Sequence, residues 1–430
     1  MEGHRMGLFE TMQQRSTPVR AGVIGAGTFA TMFLHQAARV PNLQVSAVVD
    51  LSEERGRAAL DTAGLTGTRV ATSVDAVLGA DDVDVVVEAT GSPVAGAAHA
   101  LGAIEAGQHV VMVTVEADVL VGPVLAARAA ERGVVYTMAS GDQPSLICEL
   151  VDWARTNGFA VVAAGKGTKY LPEYHRSTPE TVWGHYGFTP EHAAGSGLNP
   201  VMFNSFLDGT KSAIEMAAVA NATGLLPPEA GLAFPPAGTD DLQQVCIPRE
   251  AGGVLDRTGT VEVVSSLHRD GSPVDRDLRW GVYVTLEAPS DYVAACFANY
   301  GLRTDPAGRY TAMYRPYHLI GLELAQSVCA AGARGADSGR PRGWVADVVA
   351  TAKRDLVPGD RLDGEGGSTV HGVVRPAAAA RTGGFLPIGL ADGLVLRRAV
   401  AAGTPVTRDD VEPVTGSGVA HRLRAELEAG

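Results

Sequence analysis

A glycine turn between an apolar segment and a helix-like segment constrains the fold of this chain more than any other feature. Gly25 and Gly27 follow residues 19–24, which are apolar apart from Arg20, and Ala30 completes a Gly-x-Gly-x-x-Ala spacing. Glycines so placed let the backbone turn tightly against a diphosphate, and the N-terminus of the following helix offers unpaired N–H groups. The spacing therefore predicts a dinucleotide-binding loop made of Gly25, Gly27, Thr28, Phe29 and Ala30.

The next apolar segment ends in a carboxylate. Residues 45–49 have the composition of a strand, and Asp50 follows them. It lies about 20 residues after the loop, where a partner for the ribose 2′-hydroxyl is expected. Asp50 favours NAD because a carboxylate repels a 2′-phosphate, whereas Arg55 leaves NADP open. The alternative is a glycine turn in an ordinary βα unit.

Further apolar runs alternate with helical patterns over the first third of the chain. Residues 83–91 and 109–116 are rich in valine, and residues 93–107 and 123–132 have helical spacing. This alternation predicts an α/β fold with a doubly wound, parallel Rossmann sheet. Ligands of such sheets lie at the carboxyl ends of the strands. We therefore expect the coenzyme's nicotinamide end near Thr90, Gly91 and Glu116.

The pattern changes after residue 158. Alternating segments at 159–164, 259–265 and 280–286 predict an antiparallel sheet with helices on one face, an α+β substrate domain. A helix near 317–330 is expected to pack back on the first domain. Residues 353–363 are echoed by 397–407, which predicts a small β-rich module with an internal repeat. The expected organisation is a flexible leader (1–18), a dinucleotide-binding domain (19–158), a substrate domain (159–343) and a C-terminal module (344–430).

Three lysines are the most informative cations. Lys166, Lys169 and Lys211 each lie beside glycine or threonine, in what we predict to be turns where side chains and N–H groups converge on an anion. They could hold a substrate phosphate, or a lysine ammonium could donate a proton at a carbonyl that accepts hydride. For Lys211 the alternative is a surface ion pair with Glu215, four residues further along a helix.

Three carboxylates are candidates for acid/base chemistry. They are Asp208, Glu215 and Glu116. Their oxygens would suit Mg²⁺ or Mn²⁺, although no dense cluster of carboxylates demands a metal. Asp208 equally fits a helix cap, with its carboxylate on the N–H of Thr210 or Lys211.

The composition of the chain limits which binding partners are expected. The formal net charge of −13 disfavours nucleic acid and membrane surfaces as partners. The four cysteines are isolated from one another and predict reduced thiols in a cytoplasmic protein. No apolar run approaches the ~20 residues that span a bilayer. We expect a small, anionic substrate and a homo-oligomer, a dimer.

Several segments resemble known oxidoreductases. Val87–Gly91, Gly107–Val111 and Asp208–Thr210 are similar to homoserine dehydrogenases, but Val115 and Glu116 stand where that family has an Asn-Lys pair. The closer resemblance is to the homoserine-dehydrogenase-like enzymes of the deoxyxylulose-phosphate reductoisomerase-like (DRL) family. It is carried by residues 115–118, 141–144, 164–170, 205–215 and 315–319, and residues 386–390 and 407–411 resemble its C-terminal SAF module.

The resemblance implies an NADPH-dependent enzyme, assisted by Mg²⁺ or Mn²⁺, that rearranges deoxyxylulose 5-phosphate and reduces the product. From the residues alone, the leading hypothesis is a nicotinamide-dependent reductase of a small phosphorylated or polyhydroxylated carbonyl compound. The alternatives are a homoserine-type dehydrogenase and a coenzyme-binding sensor without catalytic activity.

Overall fold

The computed structural model describes residues 7–413 and 418–430 of the chain. It divides into two compact units. Unit 1 comprises the described residues of Met1–Leu146, His318–Arg342 and Ser417–Gly430. Unit 2 comprises those of Ile147–Tyr317 and Gly343–Gly416. No helix among the described residues is both long and apolar enough to cross a membrane.

Helices and strands alternate in the first part of the chain. In order they are α1 (Leu8–Gln14), β1 (Val19–Ile24), α2 (Thr28–Ala37), β2 (Leu43–Val49), α3 (Glu53–Ala63), β3 (Arg69–Ala71), β4 (Val85–Glu88), α4 (Pro93–Glu105), β5 (His109–Met112), α5 (Val115–Arg132), β6 (Tyr136–Met138) and α6 (Gln143–Thr156).

The remaining elements follow a less regular order. They are β7 (Ala160–Thr168), α7 (Val182–Tyr186), α8 (Pro190–Gly195), α9 (Pro200–Leu207), α10 (Thr210–Thr223), α11 (Leu242–Val245), β8 (Thr260–Ser265), β9 (Val282–Glu287), α12 (Asp291–Asn299), β10 (Tyr310–Arg315), α13 (Ala325–Arg334), β11 (Ala346–Ala352), β12 (Val370–Pro376), α14 (Ala377–Thr382) and α15 (Val419–Ala429).

Unit 1 is built on a six-stranded parallel sheet with the order β3-β2-β1-β4-β5-β6. The order reverses between β1 and β4, as in a doubly wound sheet. Strands β1, β2, β4 and β5 are largely buried and contain several valines, as expected for a parallel sheet covered by helices. The Rossmann architecture expected from the sequence is thus confirmed, and its ligand edge lies where β1 and β4 end.

Two predicted elements of unit 1 are wrong in their bounds. The run 109–116 is not one strand, because β5 ends at Met112 and α5 begins at Val115. Glu116 therefore lies in the first turn of a helix, and Pro123 is inside that helix. The predicted helix near 317–330 begins only at Ala325, and α13 packs on β1, β4 and β5 as expected.

The expected flexible leader also needs correction. Residues 8–14 form α1, and its Met12 side chain is only 2% exposed. Asn42 donates its amide N–H to the carbonyl of Met12 at 2.7 Å. The apolar Leu8 and Met12 join the core that contains α13, so this segment is ordered by packing. Residues 1–6 of the leader lie outside the described residues.

Unit 2 contains a four-stranded sheet with the order β10-β9-β7-β8. It is mixed, because β7 pairs parallel with β8 and antiparallel with β9. The prediction of a purely antiparallel sheet was wrong in this respect: the chain between β7 and β8 is a long helical crossover, which parallel pairing requires. The buried helix α10 packs on β8 and also contacts β11 and β12.

The two halves of the predicted internal repeat lie together in unit 2. Leu356 of the first half pairs with Val400 of the second in an antiparallel bridge. Strands β11 and β12 form an antiparallel pair beside them. The last helix does not belong to this module: α15 is in unit 1, where Arg424 and Leu423 are buried and α15 packs on α4 and α5.

Candidate functional site

The glycine turn in unit 1 has the geometry that a diphosphate requires. Gly25 has φ +99°, and a Cβ there would lie 2.5 Å from the carbonyl oxygen of Ala89. Only glycine fits this close approach to the β4 end. A Cβ at Gly27 would meet no atom within 4 Å, so the space above Gly27 is open to a ligand. Gly25 therefore allows the turn to pack closely against the end of β4, and Gly27 leaves space for a ligand.

The helix that follows the turn is free to bind an anion at its N-terminus. Gly27 is the N-cap of α2, and no side chain among residues 7–413 and 418–430 caps that end. The ten-residue helix offers backbone N–H groups and the positive end of its dipole. Thr28 is exposed, whereas Phe29 is half-buried and Ala30 is buried in the core. Of the predicted loop residues, Thr28 can contact a ligand with its side chain.

Asp50 lies directly after β2, as the sequence predicts. One carboxylate oxygen accepts a hydrogen bond from the Ala26 N–H at 2.9 Å, and the other accepts one from the Ser52 N–H at 2.9 Å. Arg55 is 3.6 Å from Asp50 and largely exposed. The carboxylate is thus fixed beside the glycine turn. The Arg55 guanidinium, which is able to approach a 2′-phosphate, lies next to this carboxylate.

Thr90 and Gly91 form an exposed turn after β4. The Thr90 hydroxyl donates to the Glu88 carboxylate at 2.6 Å, and the Gly91 N–H donates to the Thr114 hydroxyl at 3.0 Å. Glu88 is fully buried, and its carboxylate lies 3.2 Å from Nδ1 of His99. Sequence reasoning missed Glu88 as an organising residue, although a carboxylate inside a valine run was a signal.

In unit 2, Lys166 is not in a turn. It belongs to β7, because Gly165 and Gly167 are strand residues over which neighbouring backbone passes. A Cβ at Gly165 would lie 1.7 Å from the Glu262 carbonyl oxygen. The predicted glycine turn at 165–168 was therefore wrong. The Lys166 ammonium donates to the Glu215 carboxylate of α10, and both side chains are buried.

This contact changes the interpretation of two other residues. Glu215 is 4% exposed and pairs with Lys166, so it is not a surface carboxylate as the ion-pair alternative assumed. Lys211 itself lies half-buried in the first turn of α10. Lys169 follows the end of β7, and its ammonium donates to the carbonyl oxygen of His185 at 2.5 Å. Burial and the nearby charge of Arg279 lower the pKa of Lys169.

Asp208 is the centre of a buried polar cluster at the start of α10. Its carboxylate accepts the Thr210 N–H at 2.8 Å, the contact predicted for a cap. It also pairs with Lys353 at 2.7 Å, and the lysine donates further to the carbonyl oxygens of Ser177 and Gly367. Burial raises the pKa of Asp208, and Lys353 opposes that change. Asp208 is thus engaged in fixing the backbone.

Two histidines lie against this cluster. The rings of His175 and His371 are 4.6 Å apart, and His175 bridges Tyr170 and the carbonyl oxygen of Asp208. Burial lowers the pKa of His175 and takes that of His371 well below its ordinary value. Both rings are therefore neutral near pH 7. Sequence reasoning missed Lys353 and His371, which are far from Asp208 in the chain.

The three predicted carboxylates lie in two different units of the structure. Glu116 belongs to unit 1, whereas Asp208 and Glu215 belong to unit 2, where each is paired with a lysine. Within 7–413 and 418–430, no three His, Cys, Asp or Glu side chains are grouped so as to hold a metal ion.

Three family models match successive parts of the chain. Residues 19–114 match the NAD-binding Rossmann fold of the GFO_IDH_MocA oxidoreductase family. Residues 141–324 match the catalytic domain of oxidoreductase DRL, and residues 347–412 match the SAF domain. These matches place the chain among the oxidoreductases that use NAD or NADP. The DRL catalytic domain and the SAF domain are the two families that the sequence resembles, so these matches agree with that resemblance.

Comparison with whole proteins gives weaker likenesses. No curated protein matches the chain significantly. Among solved structures, GenD2 from gentamicin A biosynthesis, in complex with NAD, is 25% identical (37% of this chain, 47% of that chain, TM-score 0.29). KijD10, a 3-ketoreductase from Actinomadura kijaniata with NADP, is 23% identical (36% and 50%, TM-score 0.27). Myo-inositol dehydrogenase from Lactobacillus casei is 19% identical (39% and 50%, TM-score 0.30). The chain spans about half the length of these structures.

Proposed function

We propose that the protein is a cytoplasmic, NAD(P)H-dependent reductase of a small phosphorylated or polyhydroxylated carbonyl compound. The observation that carries this proposal is the open, uncapped helix end above Gly27, with Asp50 fixed beside it. The matches to an NAD-binding domain and to the DRL catalytic domain support the same chemistry. Deoxyxylulose 5-phosphate, the compound implied by the resemblance, is the first substrate to test for reduction and for rearrangement.

The coenzyme residues follow from unit 1. The diphosphate would lie at the N-terminus of α2, over Gly27 and Thr28, with Gly25 shaping the turn. Asp50 would accept a hydrogen bond from the ribose, and Arg55 would meet a 2′-phosphate. Thr90, Gly91 and Glu116 follow β4 and β5, where the nicotinamide is expected. The bound nicotinamide supplies the hydride.

In unit 2, the buried pair Lys166–Glu215 is the best proton donor. A buried ammonium held by a carboxylate can donate a proton to the oxygen that becomes an alkoxide, and its charge stabilises that oxygen first. Lys211 is proposed as a second contact to the substrate. Asp208 is proposed to position the start of α10 through Thr210.

The test is coenzyme oxidation by the purified chain. Loss of reduced-coenzyme absorbance with deoxyxylulose 5-phosphate, and with a panel of ketoses and aldehydes, is expected for a reductase. Oxidation of homoserine with NADP⁺ would favour the homoserine-type alternative instead. Tight coenzyme binding without turnover of any carbonyl compound would contradict the proposal and favour a sensor.

A further inference from the structure

Arg279, a cation of unit 2 that the sequence pattern did not mark as a candidate, lies near Lys169. The segment from Leu278 to Gly281 crosses β7 at Gly167, where a Cβ would lie 1.9 Å from the Leu278 carbonyl oxygen. The Gly167 N–H donates to the Gly281 carbonyl at 3.1 Å and fixes the crossing. Because residue 167 is glycine, this segment can pass close to the end of β7 and place Arg279 near Lys169, which is two residues after Gly167.

Both cations lie on the same aromatic ring. The Lys169 ammonium is 5.4 Å and the Arg279 guanidinium carbon is 5.8 Å from the centroid of Tyr186. The guanidinium is also 4.7 Å from the Trp280 ring. These contacts hold each charged group in place, because the face of an aromatic ring attracts a cation. The cations are thus preorganised although neither is anchored by an acid.

Among the described residues, neither of these two cations is paired with an acid. Several other described arginines of unit 2 are paired with carboxylates, namely Arg249, Arg257, Arg276, Arg303, Arg309 and Arg354. Arg155 and Arg269 instead donate to backbone carbonyl oxygens. Over the part of the chain that the structure describes, Lys169 and Arg279 have no carboxylate within ion-pair distance. Both are half-buried, and the net charge of the chain is −13, so acids are plentiful elsewhere. Two repelling, partly desolvated cations are best compensated by an anion from outside the chain.

We propose that Lys169 and Arg279, on the ring of Tyr186, form the binding site for the phosphate monoester of the substrate. The inference rests on the proposed function and specifies its substrate class. Lys169 uses one of its three donors on His185, and a guanidinium has five donors in a planar fork that matches phosphate oxygens. Two positive charges match a phosphate dianion, whereas a carboxylate would neutralise only one of them.

Calorimetric titration of the full chain with inorganic phosphate, deoxyxylulose 5-phosphate and unphosphorylated deoxyxylulose tests the proposal without requiring turnover. The variants are Arg279→Gln, Lys169→Gln and the charge-preserving Lys169→Arg. The matched control is Arg249→Gln, which removes an exposed arginine paired with Asp256. Each Gln variant should lose about 10- to 100-fold in affinity for both phosphate probes, as expected for a lost charge-assisted contact. Lys169→Arg should retain most of it, and the control should be unchanged.

Three results would overturn the site. They are no phosphate binding to the wild type, equal phosphate affinity in all variants, and unphosphorylated deoxyxylulose bound as tightly as deoxyxylulose 5-phosphate. Failure of the proposed function has a different signature. If the phosphate compounds bind as described but no coenzyme is oxidised, the site stands and the reductase does not. If unphosphorylated sugars are reduced and phosphate does not bind, the reductase stands and the site does not.

Discussion

Replacing the buried Lys353 with methionine should destabilise unit 2 far more than removing an exposed cation such as Arg354. The Lys353 ammonium lies 2.7 Å from Asp208, and the two side chains are 2% and 0% exposed. The carbonyls of Ser177 and Gly367, which it also contacts, retain the amide of Asn204 as a donor. The main effect of the substitution is therefore to leave the buried Asp208 carboxylate without its cationic partner.

The size of the expected loss in unfolding free energy follows from the unpaired charge on Asp208. Removing one partner of a buried ion pair costs about 3–5 kcal/mol in the free energy of unfolding. The neighbouring Arg354 forms an exposed pair with Asp360, and Arg354→Met should cost about 0–1 kcal/mol. The double variant Lys353→Met/Asp208→Asn should recover part of the loss, because the side chain left behind is neutral.

The assay exploits the distribution of tryptophan. All four tryptophans of the chain, Trp153, Trp183, Trp280 and Trp344, lie in unit 2. Urea unfolding followed by tryptophan fluorescence therefore reports on this unit, and equal m-values would show that the same surface is exposed. If Lys353→Met and Arg354→Met differ by less than about 1 kcal/mol, the buried pair does not hold the start of α10 as described.

Three further outcomes are expected. Burial raises the pKa of Asp118 from 3.8 to about 7, so the folded state holds this proton more tightly than the unfolded state. The protonated Asp118 therefore contributes about 4 kcal/mol to the free energy of unfolding below pH 4, and this contribution is lost as the pH rises to 7. In Asp118→Asn, the stability of unit 1 measured by hydrogen exchange should no longer show this pH dependence. Asp50→Ala should relax discrimination between NADH and NADPH in binding titrations; unchanged discrimination would mean that Asp50 does not face the ribose. Lys166→Met should lower kcat at least ~10²-fold with coenzyme affinity unchanged, and full activity would remove Lys166 from the chemistry.

The sequence predicts unit 1 well because its signals are local. Gly25, Gly27 and Asp50 are set by the geometry of one strand, one turn and one helix, and valine runs identify a buried parallel sheet. Helix bounds were less accurate where apolar residues continue through a turn, as from Met112 to Val115. Met12 is ordered by contacts with a distant helix, which no local pattern reveals.

Unit 2 was predicted less completely because its polar contacts are long-range. Lys166 was placed in a glycine turn, since Gly165 and Gly167 are typical of turns as well as of strands that closely approach other backbone. The partners of Asp208 and Lys169, Lys353 and Arg279, lie more than a hundred residues away along the chain. Their spacing carries no periodicity, so only the folded structure brings them together.

Titration calorimetry of the wild type and Gly27→Val with NADH and NADPH tests most directly whether a dinucleotide binds over the first glycine turn. A side chain at residue 27 meets no protein atom near its Cβ, so the variant should fold normally while obstructing the diphosphate. We predict that the wild type binds at least one reduced coenzyme and that the variant, with an unchanged unfolding temperature, binds neither. No coenzyme binding by the wild type, or equal affinity in the two proteins, would show that the diphosphate does not bind over Gly27.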